Sequence, residues 1–336
     1  MKTVIIALVA AGLLNLQHAF PQQAPTSQQA HHLAGKLSGK AIHARNVNAP
    51  PMPALAPPGA IHNGEAAAGF GGIDSSRGYP DTRSFRKKFG LVIPATNTSM
   101  EHDLWSIIFA NQGPRGLQGV GLHTVNVITP KPRLETAADL LEYQKQFLSG
   151  LRAAVDTAKL AAPECMIMGM SLEHIIAGLD GVRSPMKDLE AHAGLDWAAW
   201  HDAATAALNT FGAGRIGLLT PFDKTGNESA RQMFEELGFE VVSTFGFSCA
   251  NALHIAHLPD WAKEKAILEY LATKENRLDA IVQCGTNMSL LAVTEKLEPV
   301  IGIPILGINA VTFWHALREN GFNDPLAGGG RLLREF

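Results

Sequence analysis

The chain has 336 residues, of which 46% are hydrophobic and 18% are charged, so it can bury a core large enough for two lobes. Its formal net charge of -3 gives no electrostatic reason to expect nucleic acid or an anionic membrane as a partner. Three cysteines cannot form a disulfide framework, and no CxxC or HExxH spacing suggests a metal site.

The first 85 residues differ in composition from the rest. Residues 1–19 combine Lys2 with an apolar run over 4–14 that is too short to span a bilayer, which predicts a signal or targeting peptide. Residues 20–85 are rich in Pro, Ala, Gln, His and Gly, and we expect a disordered linker or propeptide because they bury too little apolar surface to offset the entropy of ordering. Secretion is favoured over an organellar location, with no membrane contact after leader removal.

From residue 86 onward, predicted strands and helices alternate. The predicted strands are 91–94, 121–128, 165–169, 216–220, 240–247, 280–284 and 303–308. The predicted helices are 100–110, 137–160, 196–211, 227–237, 260–271, 290–297 and 310–319. Strands separated by helices of this length imply parallel pairing through right-handed crossovers. We therefore predict an α/β fold with two Rossmann-like lobes, 86–211 (completed by 305–336) and 212–304.

A glycine-rich segment, 212–217, matches the GxGxxG pattern of dinucleotide-binding loops. It follows a predicted helix and enters a predicted strand, which is the reverse of the strand-to-helix context that such a loop requires. We interpret its glycines as the end of a helix and a turn, and expect no dinucleotide cofactor.

Two segments that end predicted strands repeat each other, and only one of them has a cysteine at the shared position. Residues 278–289 read LDAIVQCGTNMS and residues 165–171 read CMIMGMS, so that Gly169 takes the place of Cys284. Upstream of each segment, another strand breaks at a proline and then reaches an asparagine. A repeat of this length suggests a duplicated domain. Because ligands bind at the carboxyl ends of parallel strands, one site is expected to contain Asn97, Gly169, Ser171, Asn227 and Cys284.

Four segments together resemble the aspartate/glutamate racemase superfamily, and within it the branch of maleate cis-trans isomerases and arylmalonate decarboxylases. They are VIPATNTSME at 92–101, MGMSLE at 168–173, GLLTPF at 217–222 and QCGTN at 283–287, in order and with suitable spacing. The resemblance implies two pseudo-symmetric lobes with the active site in the cleft between them. It also implies a small dicarboxylic acid as the substrate and chemistry without a metal or an organic cofactor.

The resemblance gives the single thiol a mechanistic meaning. Racemases and typical maleate isomerases of the superfamily use one cysteine from each lobe, whereas arylmalonate decarboxylases have glycine in the first lobe and cysteine in the second, as at Gly169 and Cys284. Racemisation by two thiols needs one to remove a proton and the other to deliver one. We therefore expect Cys284 to protonate the enediolate left when a substituted malonate loses carbon dioxide. Cys165 lies about 13 Å back along an extended strand and does not replace the missing thiol.

Backbone N–H groups at strand-to-helix turns can stabilise the negative charge of an enediolate. We expect Ser171, Gly285 and Thr286 to surround one carboxylate, with Met170 contributing its backbone N–H. Ser171 could equally cap a helix.

Three further residues are candidate substrate contacts. Asn97 resembles the carboxylate-binding asparagine of the maleate isomerases, a feature that the arylmalonate decarboxylases lack. Phe222 stands where family members often present a tyrosine hydroxyl, so one donor is missing on that side. Asn227 is placed at the cleft by the repeat. Both asparagines could instead cap the helices that follow them.

Two alternatives to the decarboxylase remain open. In a maleate-type isomerase, the Cys284 thiolate adds to an alkene, the new single bond rotates and the thiolate leaves. Asn97 favours the isomerase, whereas Gly169 favours the decarboxylase. A catalytically weakened homologue that binds a small carboxylate is suggested by Phe222 and the missing first-lobe cysteine.

Glycosylation sequons begin at three asparagines in the predicted cleft loops, Asn97, Asn227 and Asn287. Glycans at these positions would obstruct a small-molecule site. This conflict argues against a eukaryotic secretory route more than against the site.

Overall fold

The computed structural model describes residues 61–62, 65–66, 81–128, 137–170 and 178–336. The predicted leader (1–19), most of the predicted linker (20–85) and Ser171 lie outside the described residues. Two short strands, β1 (Ile61–His62) and β2 (Glu65–Ala66), pair in antiparallel orientation. Within the described part of the chain, no helix has the length and apolar character needed to cross a bilayer.

The first lobe contains a sheet of four parallel strands in the order β4-β3-β5-β6. The strands are β3 (Lys87–Pro94), β4 (Val120–Val127), β5 (Cys165–Met168) and β6 (Trp197–Ala198). The helices of this part of the chain are α1 (Met100–Ala110), α2 (Ala137–Lys159), α3 (Leu179–Ala193) and α4 (Trp200–Thr210). Strands β3 and β5 are buried almost throughout, as expected for parallel strands covered by helices on both faces.

The second lobe repeats this arrangement with the strand order β8-β7-β9-β10, again all parallel. The strands are β7 (Arg215–Thr220), β8 (Glu240–Gly246), β9 (Ala280–Gln283) and β10 (Ile305–Gly307). The helices are α5 (Lys224–Glu236), α6 (Ala252–Ile255), α7 (Asp260–Ala266, continued by a π-helix over Ile267–Leu271), α8 (Leu291–Ile301), α9 (Ile308–Glu319) and α10 (Gly330–Glu335). The predicted α/β fold with two pseudo-symmetric lobes of parallel strands is confirmed.

Several element boundaries differ from the prediction. Strand β10 pairs with β9, so residues 305–307 complete the second sheet, and the return to the first lobe begins with α9, which packs on α1, α4, β5 and β6. The predicted helix 196–211 is divided into β6 and α4, and α5 begins at Lys224 instead of Asn227. Helix α3 was not predicted because Gly181 and Pro185 interrupt it, although its buried residues recur at helical spacing.

Residues 81–85, which precede the predicted lobe boundary at 86, pack against the first lobe. The Asp81 carboxylate pairs with Lys88 at 2.8 Å. Ser84 and Phe85 lie directly on strand β4 and the turn before it, where a Cβ added at Gly121 or Gly119 would meet their side chains. Small residues on β4 thus let the end of the predicted linker pack against the sheet.

Gly169, which follows β5, lies in a tightly packed position. Its N–H donates to the carbonyl oxygen of Val92 at 2.8 Å. A Cβ added there would lie 2.4 Å from Cγ2 of Ile93 and 2.9 Å from the Val92 carbonyl oxygen. Because the second of these atoms belongs to the backbone of the central strand, a side chain at this position requires the strands to move.

Two histidines lie where α4 and α9 pack together, His201 buried and His315 half-buried. Burial lowers the pKa of His201 and of His315 from the ordinary value of 6.5. Asp202 raises both pKa values in part, and Glu319 raises that of His315, whereas Arg183 and His315 reinforce the decrease at His201. Both rings are therefore held in the neutral form.

We predict that Gly169→Ala lowers the free energy of unfolding by about 1–3 kcal/mol, the usual cost of overpacking. Gly150→Ala is the matched control: it lies inside α2, where the new Cβ would lie 3.4 Å from Val127, and a gain of about 0.5–1 kcal/mol in helix stability is expected. Urea unfolding measures both. Wild-type stability of Gly169→Ala would show that the strands adjust freely.

These two histidines predict a loss of stability in acid. Because their folded pKa values lie below 6.5, the unfolded state takes up protons before the folded state does as the pH falls. The free energy of unfolding is therefore highest above about pH 6.5 and decreases below it, by at most about 1.4 kcal/mol per pH unit for each ring. His201→Gln should reduce the slope of unfolding free energy against pH between 6.5 and 5, and the same change at exposed His254 should not. Equal slopes for the wild type and His201→Gln would exclude this origin.

Candidate active site

Cys284 follows β9 and begins a sharp turn that the side chain of Gln283 stabilises by hydrogen bonds. Its side chain is 1% exposed, and its N–H donates to the Leu219 carbonyl of the neighbouring strand at 2.9 Å. Gly285 adopts φ = 89°, and a Cβ there would lie 2.7 Å from Pro221, so the turn requires glycine. The buried amide of Gln283 donates to the carbonyls of Cys284 and Gly285 and accepts from the Ile308 N–H.

The Thr286 hydroxyl joins the two lobes. It donates to the carbonyl oxygen of Gly169 at 2.9 Å and accepts from Nδ2 of Asn97 at 2.9 Å. Three of the predicted site residues are thereby brought together at the ends of β3, β5 and β9. Because the hydroxyl hydrogen is used on Gly169, a contact from Thr286 to a substrate carboxylate would have to come from its backbone N–H.

Asn97 has the helix-start role considered from the sequence, and its binding of a carboxylate stays a prediction. Its Oδ1 accepts from the N–H groups of Ser99 and Met100, each at 3.0 Å, and so satisfies donors at the start of α1. Its Nδ2 reaches Thr286 in the other lobe. The side chain is buried at the junction, and capping of α1 fixes its orientation.

The second-lobe asparagine is not equivalent to Asn97. Asn227 lies within α5, half-buried, and its Oδ1 accepts from the Thr220 hydroxyl. The capping role belongs to Asp223, whose Oδ1 accepts from the Gly226 N–H at 3.0 Å. Phe222 is buried next to it, with its N–H donating to Thr220 Oγ1 at 3.1 Å.

Met170 is buried directly after Gly169, and Ser171 lies outside the described residues. The predicted donors Met170, Gly285 and Thr286 therefore stand on two turns that the Thr286 hydroxyl joins. Such turns can direct N–H groups toward one anionic group.

Asn287 was named from the sequence only as a sequon in a cleft loop, and the structure places it at the junction as well. Its Oδ1 accepts from the Thr98 N–H at 2.9 Å, and its Nδ2 donates to the carbonyls of Thr96 and Ala252, each at 3.0 Å. Its own carbonyl accepts from the Ser99 hydroxyl. The sequence feature that could have pointed to Asn287 is its position as a polar residue beside Cys-Gly-Thr in a strongly apolar segment.

Of the other two cysteines, Cys165 lies away from this junction, whereas Cys249 donates its N–H to the carbonyl of Pro221, the residue that packs against Gly285. All three are present as thiols. Cys165 begins β5 and pairs with Phe89, at the opposite end of that strand from Gly169. Burial raises the pKa of Cys165 to about 11, and burial also raises that of Cys249. Both shifts favour an uncharged, unreactive thiol.

Metal ligands are not assembled at this site: in the described ranges, no three or more His, Cys, Asp or Glu residues are grouped to hold an ion. Among the described residues, this junction holds the Cys284 thiol, the Thr286 hydroxyl, the side-chain amides of Asn97 and Asn287, and backbone N–H groups.

Comparisons with known proteins find relatives of the same fold. Maleate isomerase from Nocardia farcinica (strain IFM 10152) is 22% identical over 252 residues, which cover 74% of this chain and 96% of that protein. The structure of the Nocardia farcinica maleate cis-trans isomerase with a covalently bound succinylcysteine intermediate is similar with a TM-score of 0.62 at 20% identity, covering 74% of this chain and 99% of that one.

Unliganded arylmalonate decarboxylase has the same fold, with a TM-score of 0.57 at 15% identity over 74% of this chain and 98% of that one. The family model described as arylmalonate decarboxylase matches residues 143–333, which is more than half of the 336 residues. The predicted branch of the superfamily is confirmed, and the chain belongs to the arylmalonate decarboxylase family.

Proposed function

We propose that this protein is a cofactor-independent decarboxylase of a substituted malonate, in which Cys284 protonates the intermediate. The observation that carries the proposal is the difference between the two lobes at one equivalent position. The third strand of each lobe is followed directly by this position, which is Gly169 after β5 and Cys284 after β9. A substrate bound between these strand ends would meet a thiol on one face only.

Packing around Gly169 supports this one-sided arrangement. A side chain there would contact Ile93 and the Val92 backbone. The adjacent Met170 is buried and apolar. The first-lobe side of the cleft therefore offers apolar surface and carbonyl groups where a two-thiol enzyme needs an acid.

The reaction needs no oxidant or second substrate. The bond between the α-carbon and one carboxylate breaks, carbon dioxide leaves, and the electron pair forms an enediolate with the remaining carboxylate. The Cys284 thiol then donates its proton to the α-carbon, and the thiolate regains a proton from water. One proton is taken up and one carbon dioxide is released in each turnover.

Two local environments suit the two carboxylates. The retained carboxylate gains charge in the enediolate, and N–H groups of Met170, Gly285 and Thr286 would stabilise that charge. The leaving carboxylate loses its charge, so apolar surroundings such as Phe222 favour its conversion into neutral carbon dioxide. In this proposal the phenylalanine in place of a tyrosine hydroxyl assists the reaction.

A maleate-type isomerase is the second candidate, and Asn97 is the observation that favours it. Among the described residues, Nδ2 of Asn97 donates one hydrogen bond, to Thr286, whereas an amide nitrogen carries two hydrogens. The second hydrogen could bind a carboxylate of maleate. In this mechanism Cys284 forms a covalent adduct by addition to the double bond, followed by rotation and elimination.

Product analysis by NMR distinguishes the candidates. The full chain is incubated in deuterium oxide with aryl- and alkylmalonates, and separately with maleate. We expect carbon dioxide and a monocarboxylic acid that carries one deuterium at the α-carbon, because proton delivery follows carbon dioxide loss. Fumarate from maleate, without carbon dioxide, would replace this proposal by the isomerase.

Removal of the thiol should abolish turnover without loss of the fold. Cys284→Ala is expected to lower kcat by about 10²–10⁴, the range typical of a lost general acid. Cys165→Ala is the matched control, since this buried thiol lies at the other end of the equivalent strand, and its kcat should remain that of the wild type. Steady-state kinetics on the substrate identified above measure both. Full activity of Cys284→Ala would contradict the mechanism.

A further inference from the structure

A buried carboxylate at the lobe junction is not used by the proposed chemistry. Asp103 lies on α1 in the first lobe, and its side chain is 1% exposed. Its Oδ1 accepts from the Ser289 hydroxyl at 2.7 Å, and its Oδ2 accepts from Nδ2 of Asn309 at 2.9 Å. Ser289 ends the segment that Cys284 begins, and Asn309 lies in the first turn of α9.

Asn309 extends the contact to the middle of the turn. The same Nδ2 that donates to Asp103 also donates to the Thr286 carbonyl at 3.0 Å. Asp103 thus holds the segment 284–289 at two points, directly through Ser289 and through Asn309 at Thr286. Thr286 is the residue whose hydroxyl meets Gly169 and Asn97.

The hydrogen bonds from Ser289 and Asn309 both go to a carboxyl group. Both carboxylate oxygens accept from side-chain donors, and charge-assisted hydrogen bonds are shorter and stronger than neutral ones. Burial raises the pKa of Asp103 above its ordinary value, and the hydrogen bonds from Asn309 and Ser289 offset only part of that rise. Loss of these partners would leave a buried carboxylate unpaired, which costs free energy. The carboxylate and the segment 284–289 therefore hold each other in place.

Other charged groups lie close to the same carboxylate. His102 Nδ1 lies 3.6 Å from Oδ1 of Asp103 and lowers the pKa of Asp103 through this contact, although the His102 side chain is largely exposed. Lys263 is buried and donates to the Ser289 carbonyl at 2.7 Å, and its ion pair is with Asp260. Ser289 is therefore held from both sides, by Lys263 at its carbonyl and by Asp103 at its hydroxyl.

We infer that Asp103, acting with Asn309, is a positioning residue that sets where the Cys284 turn stands relative to the first lobe. The inference depends on the proposed function in that Cys284 is the reacting group. Displacement of a reacting group by about 1 Å can cost about 100-fold in rate, so a fixed turn matters more for kcat than for substrate affinity. The carboxylate does not exchange a proton with the substrate in this role.

Four variants test the inference in the full chain. Asn309→Leu and Asp103→Leu remove the contact and should lower kcat by about 10–100-fold, with KM changed much less. Asp103→Asn retains an acceptor for Asn309 and a group that can donate to Ser289 Oγ, so it should recover most of the activity with an unchanged pH profile of kcat. The matched control is Glu298→Gln.

Glu298 is also a carboxylate with 1% exposure, and it accepts from the N–H groups of Ile305 and Arg331 at 2.9 and 2.7 Å. Burial raises its pKa as it does for Asp103. Its variant should lose stability but keep the wild-type kcat when assayed below its melting temperature. A normal kcat in folded Asn309→Leu, or a loss in Glu298→Gln as large as that in Asp103→Leu, would overturn the positioning role. A shifted pH profile in Asp103→Asn would instead indicate proton transfer.

A second readout is independent of turnover. Alkylation of Cys284 by iodoacetamide, measured by peptide mass spectrometry relative to the half-buried Cys249, reports how often the turn opens. Loss of one hydrogen bond should accelerate this alkylation about fivefold in Asn309→Leu but not in Glu298→Gln. If the wild type converts no substrate, the proposed function fails, while an accelerated alkylation still supports the positioning role. Equal alkylation rates of Cys284 in Asn309→Leu and Glu298→Gln would refute the positioning role.

Discussion

The hydroxyl of Thr286 is the contact on which the proposed site depends. It accepts from Asn97 and donates to the carbonyl of Gly169, so the ends of three strands from two sheets are held within hydrogen-bonding distance. The junction is buried, and an unpaired polar group there would pay its full desolvation cost. Asn287 adds further bonds across the same junction. The relative position of the lobes is therefore specified by polar pairs as well as by packing.

The two lobes share a topology but differ in what their equivalent turns can do. In the second lobe, Gly285 permits a sharp turn directly after Cys284, and Gln283 braces it from within. In the first lobe, close packing of β3 against the end of β5 leaves no room for a side chain at Gly169. The duplication thus supplies a symmetric frame, and steric exclusion at one position makes the proposed chemistry one-sided.

Local patterns predicted much of this fold. Apolar runs bounded by helical segments predicted the two parallel sheets, and the repeat predicted that Gly169 and Cys284 take equivalent places. Helix α3 was missed because Pro185 is a local signal against a helix that tertiary packing overrides. The division of residues 196–211 was missed because β6 has only two residues, which is too short to give a strand pattern. The partners of Thr286 could not be predicted as hydrogen bonds, and neither could the link from Asp103 through Asn309, since these residues are separated by up to 206 positions.

The central claim is that a single thiol serves one face of the intermediate. The most direct measurement is the enantiomeric composition of the acid formed from an α-methyl-α-arylmalonate, determined by chiral chromatography. Delivery of the proton from Cys284 alone predicts one enantiomer in large excess, and Cys284→Ala should remove the activity that produces it. A racemic product formed by the wild type would contradict the account, because it would require proton delivery to both faces.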